Sequence, residues 1–224
     1  DFLSASPLGA SGVPLSLRRP GAEAAEVDYA VSTATYFAEE YAYRGIVTDA
    51  EAAASDNPLQ PDTDQTIQLT ERLMLDNEVM VAAIAGKRAN YPAAHKAALT
   101  GGGSGTSWAQ YASANSNPLN DIKNGKVAVI KAIGREANAM VLTVDAARTL
   151  ADAPQIRDLV KYTHADALTT SGLPKVVRGL TVLEGAAQRN MAAEGAAYTG
   201  GNVWQADDGT AMALIFHRQV TPSL

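Results

Sequence analysis

The sequence predicts a mixed α+β fold, and three observations predict it. The stretch from Gln65 to Asn90 carries apolar residues at helical spacing. Two short runs near the start alternate apolar with other residues. In the second half, strand-like and helix-like segments follow one another without a regular repeat, which argues against a doubly wound sheet.

From Asp1 to Gly12 the chain is small, polar and broken by glycine, a lead-in with little to pack. Val13, Leu15 and Leu17 then alternate, as do Val27, Tyr29 and Val31, around a polar tip with Pro20-Gly21 as the turn signal. These runs predict a hairpin, which is marginal alone and needs something to lean on. Tyr36 to Ala54 reads as a helix with Phe37, Tyr41 and Val47 inward, followed by the loop SDNPLQPDTD.

The long helix is predicted over Gln65 to Asn90. Leu69, Leu73, Met80 and Ile84 form one apolar row and Ile67, Met74 and Val81 a second, while Glu71, Arg72, Asp76 and Glu78 lie on the other side with Leu75 and Val79 among them. Asp62 with Gln65 offers a capping arrangement, and Tyr91-Pro92 supplies the stop. Such a helix is roughly 39 Å long. Its width of apolar surface predicts cover on both sides.

Gly101 to Gly105 marks a flexible connection. Beyond it, Asn117-Pro118 with Asp121 predicts a helix start, and Ile122, Val129, Ile130 and Ile133 share a stripe with Lys126. Ala139 to Val144 reads as a buried strand, Asp145 to Leu150 as a helix, and Pro154 as the start of another carrying Ile156, Leu159 and Val160. Leu173 to Leu180 reads as a short helix and Thr181 to Glu184 as a strand. Val203 to Gln205 and Met212 to His217 predict a hairpin across Asp208-Gly209.

Composition narrows the function classes. The 224 residues carry a net charge of −6 with 19% charged residues and no cysteine. No basic groove interleaved with aromatics is present, so sequence-specific nucleic-acid binding is not predicted. Disulfides and thiolate chemistry are excluded, and no apolar run has membrane-spanning length. The histidines His95, His164 and His217 stand far apart, Asp207-Asp208 is explained by a tight turn, and the Gly/Ser stretch lacks the strand and the Lys-Ser/Thr of a phosphate loop. No catalytic, cofactor or metal residues are assigned.

The order of features resembles the major capsid proteins of tailed bacteriophages. The resemblance lies in the arm, the ERLMLDNEVMVAAI helix and WAQYASANSNPLNDIKNGKVAVIKAIGREANAMVLTVDAARTL, and continues through PQIRDLVKYT, GLPKVVRGLTVLEGAAQRNMAAEG and NVWQADDGTAMALIF. It implies a Hong Kong 97-type coat fold. Residues 1–35 would be the lead-in and extended-loop hairpin, 36–107 a peripheral domain built on a spine helix at 65–90, and 108–224 an axial domain; the C-terminal strands that return to the peripheral domain are expected to be absent.

The resemblance further implies a structural protein, not an enzyme, that self-assembles into hexamers and pentamers of an icosahedral phage head around double-stranded DNA. Scaffold, portal and decoration proteins are the implied partners, the virion the implied location and the host cytoplasm the place of assembly. Leu15, Leu17, Arg18 and Arg19 on the arm and Glu71 and Glu78 on the helix are the candidate inter-subunit contacts. Two alternatives stand beside this reading: an encapsulin-like compartment shell, and a small α/β enzyme holding a phosphate at Gly101 to Gly105.

Overall fold

The fold was analysed in a computed structural model. It describes residues 35–55, 60–99, 107–111, 116–161 and 167–219, together with positions 20, 21, 23 and 33. The predicted hairpin over Val13 to Val31 therefore lies outside the described residues apart from its Pro20-Gly21 turn, where Gly21 has φ 82°. The Gly101 to Gly105 connection lies outside them entirely. The chain divides into two compact units, residues 1–42 and 43–224.

In the first unit, the described residues 35–42 form neither helix nor strand, with Tyr36 and Phe37 about nine-tenths exposed. The predicted helix from Tyr36 is thus corrected. Only α1, Asp49–Ala54, forms, in the second unit. Its start is set by a capping box in which the Thr48 hydroxyl accepts from the Glu51 N–H while Glu51 accepts from the Thr48 backbone N–H. No comparable stop-and-start signal supports a turn of helix upstream, where aromatic residues and Gly45 favour an extended course.

α2, Pro61–Ala85, is the long helix, with 25 residues and therefore about 38 Å of length. Its ends differ from the prediction. Pro61 takes the first helical position, which needs no N–H partner, and no side chain caps Gln60. The helix stops at Gly86, not at Pro92, because other groups take over its last carbonyls. The Asn90 amide donates to Ile84 O at 2.8 Å and the Tyr91 hydroxyl to Ala85 O at 2.9 Å. Two short 3-10 turns, Arg88–Asn90 and Ala93–His95, follow.

The core lies in the second half. α3, Pro118–Ile133, begins as predicted, with the Asn117 side chain accepting from Asn120 N and Gly134 closing the helix at φ 66°. β1, Ala139–Thr143, is buried along its whole length. α4, Val144–Asp152, and α5, Pro154–Val160, follow and carry the chain across to the parallel partner of β1. Of the three apolar residues predicted on α5, Ile156 is buried and Leu159 is about half exposed.

Residues 173–180 form a hairpin where a helix was predicted. β2, Val176–Val177, turns into β3, Leu180–Gly185, through Arg178 and Gly179, both at positive φ (48° and 78°). Two such residues make the two-residue turn whose twist matches a β-hairpin, and this local geometry overrides the helical spacing of the side chains. The four-stranded sheet has the order β2-β3-β1-β6, where β6 is Ala213–Phe216; β1 pairs parallel with β3 and antiparallel with β6.

β4, Gln188–Asn190, and β5, Gly200–Asn202, form a separate ribbon. The predicted hairpin between Val203 and His217 is corrected as well. Its Asp-Gly turn forms, with Gly209 at φ 77°, yet β6 pairs with β1 because that pairing half-buries Leu214, Ile215 and Phe216. Trp108, Ile122, Met140, Leu142, Leu150, Ile156, Leu173 and Leu180 are among the residues of one hydrophobic cluster around this sheet.

Candidate functional site

α2 is the element with surface to offer. The side turned toward the rest of its unit half-buries Leu75, Asp76, Glu78, Val79 and Met80 and buries Ala82. This is largely the side that the sequence marks as polar. The rotation is explained by partners for its carboxylates. The Trp204 indole N–H donates to Glu78 Oε1 at 2.6 Å, and the Tyr43 hydroxyl donates to Asp76. The Arg72 guanidinium lies 5.2 Å over the Tyr43 ring.

The opposite side stays open. Ile67 is 51% exposed, Met74 67%, Val81 50% and Ile84 67%, and Thr70 and Asn77 between them are exposed too. These positions recur at seven-residue intervals as 67, 74, 81 and 70, 77, 84. Of the predicted apolar rows, Leu69 and Met80 are half-buried and Leu73 is 39% exposed. The expected cover on both sides is present on one side among the described residues.

The C-terminal end of α2 is tied to the sheet by the segment 203–210, which leads into β6. The backbone of Gln205 runs so close to Gly86 that a side chain there would collide with Gln205 O. Asp207 N donates to Gly86 O at 3.2 Å, Arg88 N donates to Asp207 Oδ2 at 3.2 Å, and the Arg88 guanidinium pairs with Asp208 at 2.9 Å. The Thr210 hydroxyl and N–H donate to Asp208, and these bonds, with a smaller contribution from Arg88, hold its carboxyl below the usual range. Asp207 and Asp208, read from sequence as turn residues, also anchor this end of the helix.

Other features are structural in the same sense. Lys126 Nζ donates to Arg178 O at 2.9 Å and pairs with Glu136 at 2.7 Å, lowering the Glu136 pKa. His217 Nδ1 lies 2.7 Å from Glu136 O, so this nitrogen carries the proton and donates. No group of acidic, histidine or cysteine residues able to hold a metal occurs among the described residues. An open, largely apolar cleft of about 650 Å³ is lined by Leu119, Leu159, Pro174 and Val176 together with the cations Lys175 and Arg178. It holds no acid, base or nucleophile set.

The candidate contact residues fall in three groups. Leu15, Leu17, Arg18 and Arg19 lie outside the described residues. Glu71 is exposed on α2. Glu78 is half-buried and bound to Trp204, a contact across 126 residues that no sequence spacing announces. Arg88, Tyr43 and Trp204 were not singled out in the sequence for this junction, and only the high hydrogen-bonding capacity of Trp and Tyr beside an apolar helix could have suggested them.

Comparison with known proteins points in one direction. No family model matches the chain. It is 31% identical over 119 residues to the major capsid protein of Burkholderia phage BcepMu, a match covering 53% of this chain and 36% of that protein. Its fold is similar to the crystal structure of a phage-related protein from Bordetella bronchiseptica RB50, with a TM-score of 0.50 and 29% identity over 66% of this chain and 46% of the other. The chain thus spans between a third and a half of the length of these two relatives. The mixed α+β fold agrees with a phage-related fold.

Proposed function

We propose that this protein is a coat subunit of a phage head, with a structural rather than enzymatic role. The observation that carries the reading is its similarity to a phage major capsid protein over about half the chain. The surfaces support it. α2 leaves an apolar stripe along most of its length open, and Tyr36 and Phe37 are about nine-tenths exposed, features of a subunit completed by neighbours. Virion location follows from the same reading, and among the described residues no helix is long and apolar enough to cross a membrane.

The finer assignment is a Hong Kong 97-type subunit. In it, residues 1–35 form the arm, 36–107 a peripheral domain around α2, and 108–224 an axial domain centred on the sheet. Leu15, Leu17, Arg18, Arg19, Glu71 and Glu78 contribute to contacts between subunits; Glu78 does so from a position already fixed by Trp204. The assembly is of hexamers and pentamers closing around double-stranded DNA, assembled in the host cytoplasm with scaffold, portal and decoration proteins as partners. The acidic balance of −6 suits an enclosure that must not hold its DNA tightly.

Particle size tests the proposal. Light scattering followed by negative-stain imaging of the purified protein should show discrete capsomers or closed shells. A species no larger than a dimer at every concentration and salt condition refutes it.

A further inference from the structure

We propose that the cleft beside β2 receives the acidic, aromatic stretch 36–41 of a second copy of this chain. The cleft is walled by aliphatic side chains, Leu119, Leu159 and Val176 among them, and carries the exposed cations Lys175 and Arg178. No acid lines it. Among the described residues neither cation meets a carboxylate. Two unpaired cations on an apolar cleft, in a chain of net charge −6, favour an occupant that is both apolar and anionic.

The backbone gives a second, independent sign at the same place. Arg178, at φ 48°, is the one non-glycine residue at positive φ among the described residues. With Gly179 it forms a two-residue turn whose first position favours asparagine, aspartate or glycine, so an arginine there is held at a backbone cost. Lys126 holds it, donating to Arg178 O at 2.9 Å while Glu136 pairs with the ammonium at 2.7 Å. The turn thus keeps a residue it disfavours. What that residue contributes is a cation on the cleft.

The stretch 36–41 has the matching chemistry. Tyr36 and Phe37 are the most exposed large hydrophobic residues among the described ones, and the carboxylates of Glu39 and Glu40 beside them are exposed as well. Phe37 and Glu40 stand three residues apart, as do Lys175 and Arg178, so a ring can enter the cleft while an acid reaches a cation. The cleft volume of about 650 Å³ has room for an aromatic side chain and its neighbour. Stretch and cleft are different surfaces, so each copy gives one and receives one, a head-to-tail contact that closes as a ring. In that respect the inference rests on the coat-subunit reading.

Charge exchange in the full chain tests the contact. Glu39→Lys with Glu40→Lys reverses the stretch, and Lys175→Glu with Arg178→Glu reverses the cleft. Each double variant alone sets like charge against like, and its self-association in sedimentation should weaken at least about tenfold. Mixed in equal amounts, the two should associate again, because each cleft then meets a stretch of opposite sign on the other protein. Arg178→Asn, a better residue for the turn, should unfold at no lower urea concentration than the parent and yet associate more weakly. Parent oligomers that survive both reversals, or variants that stay apart when mixed, overturn this contact and leave the coat-subunit reading standing. A parent that is monomeric at every concentration overturns both.

Discussion

Gly86→Ala separates packing from helix propensity at the junction between α2 and the sheet. Gly86 has φ −78° and ψ −11°, an ordinary right-handed conformation, and its N–H donates to Ala82 O at 2.7 Å. Backbone entropy and helix propensity alone then favour alanine by about 0.5–1 kcal/mol. The packing argues the other way. An added Cβ collides with Gln205 O, and Gln205 C stands only 3.3 Å away, so the obstruction is backbone and cannot swing aside. Relief requires the 203–210 segment to retreat by about 1 Å, which strains or loses the bonds from Asp207 N to Gly86 O and from Arg88 N to Asp207 Oδ2. Two bonds at about 1 kcal/mol each, with about 1–2 kcal/mol of overpacking, outweigh the propensity gain and leave a net loss of about 2–3 kcal/mol.

Urea unfolding of parent and variant measures this, with an unchanged m-value as the check that only stability moved. Gly45→Ala is the internal comparison. Its Cβ meets the Gln65 amide at 2.5 Å, the end of a flexible side chain, so the cost should stay below about 1 kcal/mol. A Gly86→Ala protein as stable as the parent, or more so, refutes the close approach of Gln205 to the helix end.

Trp204→Phe keeps an aromatic ring but removes the indole N–H from Glu78 and part of the bicycle, and should cost at least about 2 kcal/mol in the same unfolding assay. Leu142→Ala, at a fully buried position in β1, should cost about 2–5 kcal/mol and lower the thermal midpoint accordingly. Asp208 and Glu136 both have carboxyl pKa values held below their ordinary ones, by Thr210 and by Lys126 respectively. Their contribution is present above the unfolded-state pKa of about 4 and is lost as pH falls through the lower folded-state values, so the stability gap between the parent and an Asp208→Asn, Glu136→Gln double variant should shrink between pH 7 and about pH 3.

The local parts of this fold were legible where short-range chemistry decides. Asn117-Pro118, the strand at 139–143 and the helix-forming run of α2 each carry their signal within a few residues. What was not legible depends on distant partners. The face that α2 turns inward is set by Trp204 and Tyr43, whose hydrogen bonds make Glu78 and Asp76 acceptable on the covered side. The pairing of β6 with β1 competes with the local hairpin and prevails through burial that no Asp-Gly signal can report. At 173–180 the apolar spacing fits a helix, but Arg178 and Gly179 at positive φ turn the chain back instead. Among the predicted contact residues, the arm positions lie outside the described residues, while Glu78 is half-buried and accepts from Trp204, a partner no sequence spacing announces.

Apolar surface is divided unevenly within the second unit. The large buried side chains belong to the sheet and to α3, α4 and α5, so this part carries the cooperative core. α2 joins it at its C-terminal end through the Trp204–Glu78 bond, the Arg88 pairs and the Asp207–Gly86 bond, nearly all polar. A helix held by such a junction is anchored at its C-terminal end, and its apolar stripe stays exposed among the described residues. The aliphatic core of the sheet and the hydrogen-bonded anchor of the helix thus follow from where the sequence places its aliphatic residues and where it places Trp204, Arg88 and the aspartates.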